Sequence, residues 1–509
     1  MSSLIVAKFG GTSMATGRSF QIVAERVARN DDMRAVVISA PGTMNDTNDP
    51  SGKNRDTLKV TDRLIGNENK KIDGIVQKVR KNEPLEEDIQ ALTRRYGDIE
   101  DAIGMPQSAR ISGSVRESIL ERIKKLDQGD PKYDAPLGAL GEELNARLFA
   151  SYLNMMHVRA RYLDPVDAGF TVSSENGKVF IDESVYGQIQ SKVQRILDEG
   201  ERIVFPGYFG YDSAGVIRTF PRGGSDYTGS VLAAALKAGL YQNFTDTDGI
   251  RVVEPTIAKD APVIRAMTHR ELTELTLGGA FGVFQYEAAV PLAINGVVTQ
   301  VLNTFDPSSK GTYILPQVGS SEREVTGIVH RGEFVAFEVV KYGIANAVGF
   351  FRDMLELFSE MKISVEHAPS STNDISVIVR KKSMEDAGLS SGDVAERIRR
   401  QMNPHDIKIH GISEVAMVGE ELSRTRGLGM KILGAVSEAG VNVPYHSHQG
   451  ISFILWLRNG DAEVAAKAIY RSQFAQGSNG KSSTAEAVHT GGRTEESAAG
   501  RAEGALARV

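Results

Sequence analysis

Near its start the chain carries a lysine, two glycines and two hydroxyl residues in close order. The stretch Lys8-Phe9-Gly10-Gly11-Thr12-Ser13 ends the apolar run Leu4-Ile5-Val6-Ala7. A strand that delivers a cation and bare backbone amides suits a phosphate, because glycine lets the main chain approach an anion with no side chain between. By spacing alone the stretch reads equally well as a tight turn. A second glycine segment, Arg222-Gly223-Gly224-Ser225-Asp226, moves the reading towards phosphate chemistry. It falls just ahead of a predicted helix over 228–240, where unpaired N–H groups point outward, although Ser225 and Asp226 also read as simple N-cap residues. Neither segment has the Walker spacing or the dinucleotide fingerprint. The run Asp246-Thr247-Asp248-Gly249 is read as a turn, since a metal would need a third ligand, and no metal-ligating set is assigned. Glu142 and Glu143 fall near the start of a predicted helix over 137–153, where the macrodipole favours carboxylates. For Glu143 that helix-end role is the preferred reading.

The elements that must position these groups follow from periodicity. Residues 4–40 read strand, loop, helix, strand, a βαβ unit that requires a right-handed crossover and a parallel sheet. Ligands of such sheets gather beyond the carboxyl ends of strands, where both Lys8 and Ser39 fall. Residues 46–56 are polar and turn-rich and are expected to form a loop over the site. Thr57, Lys59, Thr61 and Asp62 open a helix, and a charged helical region to about Lys125 reads as a solvated lobe without chemistry. Further strands are predicted at 159–163, 202–206, 241–245 and 298–303, closing a first domain of residues 1–315. Residues 316–330 read as a linker. A strand-helix-strand-strand-helix cycle then occurs twice, over 331–405 and 406–475, as expected for two ferredoxin-like βαββαβ units. In the second cycle strands are placed at 414–418, 441–445 and 451–457. Residues 476–509 hold too few large aliphatic side chains to order themselves and are expected to be a disordered tail.

Bulk properties narrow the class. At 509 residues the chain exceeds a single core and implies about two to four domains. A hydrophobic content of 41% with 24% charged residues is that of a soluble globular protein. The net charge of -6 argues against a nucleic-acid partner, so an anionic ligand must be held by local cations and amides. The absence of cysteine excludes disulfides, thiolate catalysis and cysteine-ligated zinc. No apolar run is long enough to span a membrane and the N-terminus lacks a signal-peptide profile, so a cytoplasmic location without membrane partners is expected.

Assembled, these residues resemble the aspartate kinases of the amino-acid kinase family that carry C-terminal ACT regulatory domains. The resemblance runs from Leu4 to Phe474. It rests on the Lys8–Ser13 stretch, Ser39-Ala40, Gly141-Glu142, the Arg222–Asp226 segment and Thr245-Asp246-Thr247-Asp248-Gly249, in that order. It implies an α/β fold, a mainly parallel three-layer sandwich followed by two ACT domains. It also implies ATP-dependent phosphorylation of the side-chain carboxylate of L-aspartate, with Mg²⁺, at the head of the lysine, threonine and methionine branch of biosynthesis. On this resemblance Lys8 is the cation on the transferring phosphate, Gly10 and Gly11 supply amides to it, and Ser13 and Ser39 line the same cavity. Thr61 and Glu142 contact the amino acid, with Glu142 on its ammonium. Arg222 grips a substrate carboxylate, flanked by Gly223, Gly224 and Ser225. Asp226 helps hold Lys8 and the metal-bound phosphates, and Thr245 and Asp246 are nucleotide-side contacts.

Several positions depart from the family pattern: Pro221 before the arginine, Gly282 in place of a lysine, Arg251 and Thr256 in the nucleotide region, and an insertion over 43–54. Arg251 is the expected substitute for the missing cation. The ACT pair implies lysine or threonine as effector, near residues 346–351 with Glu366, Ser370 and Ser371, and a homo-oligomer dimerised through the ACT domains. Two rivals stand beside this reading: a related carboxylate kinase using glutamate, and a catalytically silent amino-acid sensor. Retention of Lys8, Glu142, Arg222 and Asp226 argues against the sensor.

Overall fold

A computed structural model describes residues 4–44, 58–126, 134–175, 178–221, 223–277, 283–318 and 324–474. Arg222, Gly282, the segment 46–56 expected to form a loop and the segment 476–509 expected to form a tail lie outside the described residues. The chain divides into two compact units. One holds the residues up to Ile250 together with Val263–Gly319, and the other holds Arg251–Pro262 and the chain from Ser320.

The first unit is built on eight strands: β1 (Ile5–Phe9), β2 (Met33–Ile38), β3 (Ala160–Tyr162), β4 (Arg202–Pro206), β5 (Leu240–Thr245), β6 (Ala266–Thr268), β7 (Thr299–Asn303) and β8 (Thr312–Leu315). They lie in the order β6-β8-β7-β5-β1-β2-β4-β3. Every pair is parallel except β7 with β8. The near-continuous apolar character of β1 and β2 is that of strands covered on both faces. The helix α1 (Gly17–Ala28) turns Phe20, Val23, Ala24 and Val27 onto the sheet, at the spacing of one helical face. It shares a core with the helices Glu86–Ala102 and Ala135–Met155, so Ile89, Leu92, Tyr96 and Ile99 are buried in it. The region expected to be a solvated lobe is therefore packed on one side, because its apolar residues recur on a single face. The chain leaves β1 to one side for β2 and later returns to the other side with β5. The switch point thus falls at the carboxyl end of β1, where such folds gather ligands.

The second unit is an antiparallel sheet of six strands: β9 (Gly327–Val340), β10 (Val365–His367), β11 (Asp374–Arg380), β12 (Asp406–Val418), β13 (Tyr445–Gln449) and β14 (Ser452–Arg458), ordered β10-β11-β9-β12-β14-β13. The two long strands are each shared between the repeats. Residues 334–340 of β9 pair with 406–412 of β12, the register shifts at Gly332 and Glu333, and residues 327–331 then pair with 414–418. The first repeat is thereby closed by the start of β12, and the second is closed by the start of β9, giving each the βαββαβ arrangement. Three expected boundaries change as a result. The linker ends before Gly327, β12 begins at Asp406 rather than at 414, and the strand placed at 441–445 lies at Tyr445–Gln449. The last shift has a local cause. Gly440, at φ +77°, turns the chain out of its helix, and Pro444 has no N–H to give a ladder. Among the described residues no helix is long and apolar enough to cross a membrane.

Candidate active site

The strand β1 carries Lys8 to the switch point, where its register places it opposite Asn243 of β5. The Lys8 ammonium lies 2.6 Å from Asp226 Oδ1, and Asn243 Nδ2 donates to the same oxygen at 3.0 Å. Asp226 occupies the first turn of the helix Gly224–Ala235, whose N-terminal amides favour a carboxylate. Entry to that helix needs Gly223. Its φ is +83°, and a Cβ there would stand 2.1 Å from Gln285 Cγ.

Two loops meet over Lys8. Gly42 donates its N–H to the carbonyl of Gly11 at 2.8 Å, and a Cβ on Gly42 would lie 2.5 Å from the carbonyl carbon of Gly11. The loops therefore touch backbone to backbone. A Cβ on Gly10 would approach Lys8 Nζ to 3.4 Å. From behind, Arg95 donates to the carbonyl of Gly42 at 2.7 Å and Asn145 to that of Ser39 at 2.6 Å. Neither was apparent from the sequence, where both read as ordinary helix residues.

The helix Ala135–Met155 starts ahead of the predicted position, so Glu142 and Glu143 lie two turns inside it rather than at its end. Glu143 turns to Arg122 and Arg147, a structural ion-pair cluster that replaces the helix-end role expected for it. Glu142 is buried at the cavity and takes a hydrogen bond from the backbone N–H of Ala40, yet its Oε2 has no hydrogen-bond partner. Burial pushes its pKa up from the ordinary carboxylate range to about 8.

Lys8, Ser39, Thr61, Glu142 and the run Gly223–Asp226 line one cavity of about 570 Å³, with Gly11 at its edge. Lys59 and Lys70 also line it, and Lys70 is held 3.2 Å from Asp62. Their sole sequence signal is nearness to Thr61. Ser13 does not reach the cavity: it is fully buried, and its hydroxyl shares a 2.7 Å hydrogen bond with Thr304. Thr245 and Asp246 lie at the carboxyl end of β5, outside this lining, with Thr245 Oγ1 at 3.2 Å from Asp246 Oδ1. Arg251 belongs to the other unit, where its guanidinium donates to the carbonyl of Ala261 at 2.6 Å. Arg222 is outside the described residues, although its neighbours Gly223, Gly224 and Ser225 are in the lining. Among the described residues there is no cluster of three side chains suited to a metal ion.

A buried lysine–aspartate pair, stapled glycine loops and a helix N-terminus at the switch point of a parallel sheet define an α/β enzyme of phosphoryl transfer. The chain belongs to the Amino acid kinase family, whose model matches residues 3–303. It is 31% identical to aspartokinase 3 of Bacillus subtilis (strain 168), over 92% of this chain and 98% of that protein. The aspartate kinase of Clostridium acetobutylicum shares its architecture with a TM-score of 0.73 at 26% identity, covering 92% of this chain and all of that one. Aspartokinase III of Escherichia coli, crystallised with aspartate and ADP, has the same fold at a TM-score of 0.71 and 20% identity, covering 93% of this chain and 100% of that one.

Proposed function

We propose that this protein transfers the γ-phosphoryl group of ATP to the side-chain carboxylate of L-aspartate, giving 4-phospho-L-aspartate and ADP. One observation carries the reading: the Lys8–Asp226 pair and Glu142, whose Oε2 has no hydrogen-bond partner, line a single cavity. A carboxylate is already a competent nucleophile, so the site needs no strong base. It must neutralise and align two anions that repel each other. The aspartate oxygen forms a bond to the γ-phosphorus as the β,γ-bridging P–O bond breaks, and the charge leaves on ADP.

Lys8 and the backbone amides around Gly11 stabilise the charge that builds on the transferring group; the N–H of Gly10, expected to share this role, instead donates to the carbonyl of Phe244 at 3.2 Å. Glu142 supplies the missing partner for an ammonium, and Thr61 and Ser39 flank it in the cavity. Arg222 takes a carboxylate of the amino acid through its planar fork. Asp226, in the cavity lining, would help hold the Mg²⁺ that accompanies the nucleotide, and that ion would supply neutralisation of phosphate charge. Thr245 and Asp246 serve the nucleotide end. The C-terminal pair of ferredoxin-like repeats acts as the regulatory unit, with lysine or threonine as effector and a dimer of chains as the working form.

The test is acyl-phosphate trapping by hydroxylamine with ATP and aspartate, repeated with glutamate in its place, and then with added lysine and added threonine. Aspartate-dependent hydroxamate is expected. Equilibrium binding of amino acids without any ADP release would instead support the silent sensor.

A further inference from the structure

Beside the cavity just described lies a second one of about 680 Å³, lined by polar groups such as Ser174, Arg218 and Thr219 together with Ile65 and Gly138. Tyr208 is the one described residue that lines both cavities. Gly138 and Glu142 stand one turn apart on the same face of their helix, and the first lines the second cavity while the other lines the substrate cavity. The ring of Tyr208 sits against that face: a Cβ on Gly138 would lie 3.5 Å from Tyr208 Cε1 and 3.3 Å from Ile65 Cγ2.

The backbone of Tyr208 is unusual. Its φ is +79°, a left-handed conformation that a bulky side chain seldom adopts. It is held there by Thr228 Oγ1, which accepts its N–H at 3.1 Å, and by the N–H of Phe220, which donates to its carbonyl at 2.8 Å. Strain of this kind persists where surrounding structure imposes it, and it concentrates at functional sites. Here the imposed conformation turns a large ring into the space between two cavities.

We propose that Tyr208 is the partition that sets the length of the amino-acid substrate. It closes the substrate cavity on the side of Glu142, so that with the reacting carboxylate fixed beside Lys8 an acid one methylene longer has no room at its ammonium end. The proposal rests on the aspartate kinase reading. Tyr208 acts here as a specificity-determining wall, without a part in the phosphoryl transfer.

The experiment compares kcat and KM for aspartate and glutamate, by ADP release and hydroxamate trapping, in the parental enzyme, Tyr208→Phe and Tyr208→Gly. Glycine is at ease with the positive φ, so its variant should fold; Tyr208→Asn, also tolerant of that region, is the second ring-less variant. Both ring-less variants should raise the glutamate-to-aspartate ratio of kcat/KM by about tenfold or more, the discrimination attached to one methylene, chiefly by lowering KM for glutamate. The phenylalanine variant, which keeps the ring, should hold the parental ratio. An unchanged ratio in folded ring-less variants overturns the partition, and so does an equal shift in Tyr208→Phe. A parental enzyme without aspartate-dependent ADP release removes the functional reading itself, and the partition with it.

Discussion

Glu142 is an acid that burial holds largely protonated near neutral pH, and this fixes how its site responds to pH. Its pKa stands at about 8 in the folded protein against 4.5 ordinarily, so between those values the folded state carries a proton that the unfolded state has lost. Its contribution to stability is therefore fully present at low pH and is lost as pH rises towards 8. An arriving ammonium reverses the preference and expels the proton. Aspartate affinity should thus strengthen with pH by up to about tenfold per unit below 8 and then level off. Calorimetry in buffers of differing ionisation enthalpy should register the released proton, and Glu142→Gln should flatten the profile. Lys8 poses the complementary case. Lys8→Met leaves Asp226 with Asn243 and the helix N-terminus alone, and turnover should fall at least about 10³-fold with the chain still folded. Steady-state ADP release together with a thermal melt checks both parts, and residual activity within tenfold of the parent contradicts the assigned role.

At the level of elements, the site depends on two loops held closer than any side chain would allow. Gly42→Ala would set a methyl 2.5 Å from the Gly11 carbonyl carbon, so the loops must part. A displacement of about 1 Å at a reacting centre can cost about 10²-fold, so kcat should fall on that scale while circular dichroism stays unchanged. Such contacts also mark what the sequence could and could not reveal. The Lys8-Phe9-Gly10-Gly11 stretch and the Gly223–Asp226 turn were legible, because a strand ending in glycines and a helix beginning with them are local events. Asn243 was not: it meets Asp226 only because the register of β5 sets it opposite Lys8. Arg95 and Tyr208 reach the site through packing of segments distant in sequence, which no local pattern encodes. The burial of Ser13 was missed for the same reason, since its partner Thr304 follows β7. The shared strands of the second unit escaped because the pairing of β9 with β12 joins segments far apart in sequence, and the first half of β12 is largely exposed.

For the molecule as a whole, sharing β9 and β12 makes the two C-terminal repeats interdependent. The buried pair Arg331–Glu414, at 2.5 Å, bridges those two strands. Removing one partner of such a pair costs about 3–5 kcal/mol. Arg331→Ala should therefore loosen both repeats together. The chain's single tryptophan, Trp456, is 2% exposed and packs edge-on to Phe334 at 5.0 Å, so its emission follows this unit alone. The urea midpoint of that signal should drop, and amide exchange should quicken alike in β11 and β14. Faster exchange confined to one repeat would contradict the interdependence.

The segment Arg251–Pro262 carries a further consequence. It is joined to the second unit by the N–H of Ile328, which donates to the carbonyl of Val252 at 2.7 Å, yet it interrupts the first unit shortly after β5. Backbone on both flanks of this detour is covalently committed to the phosphoryl-transfer half. The chain thus crosses between the two halves beside Ile250 and again beside Val263, and the first crossing falls five residues after Thr245, the last residue of β5.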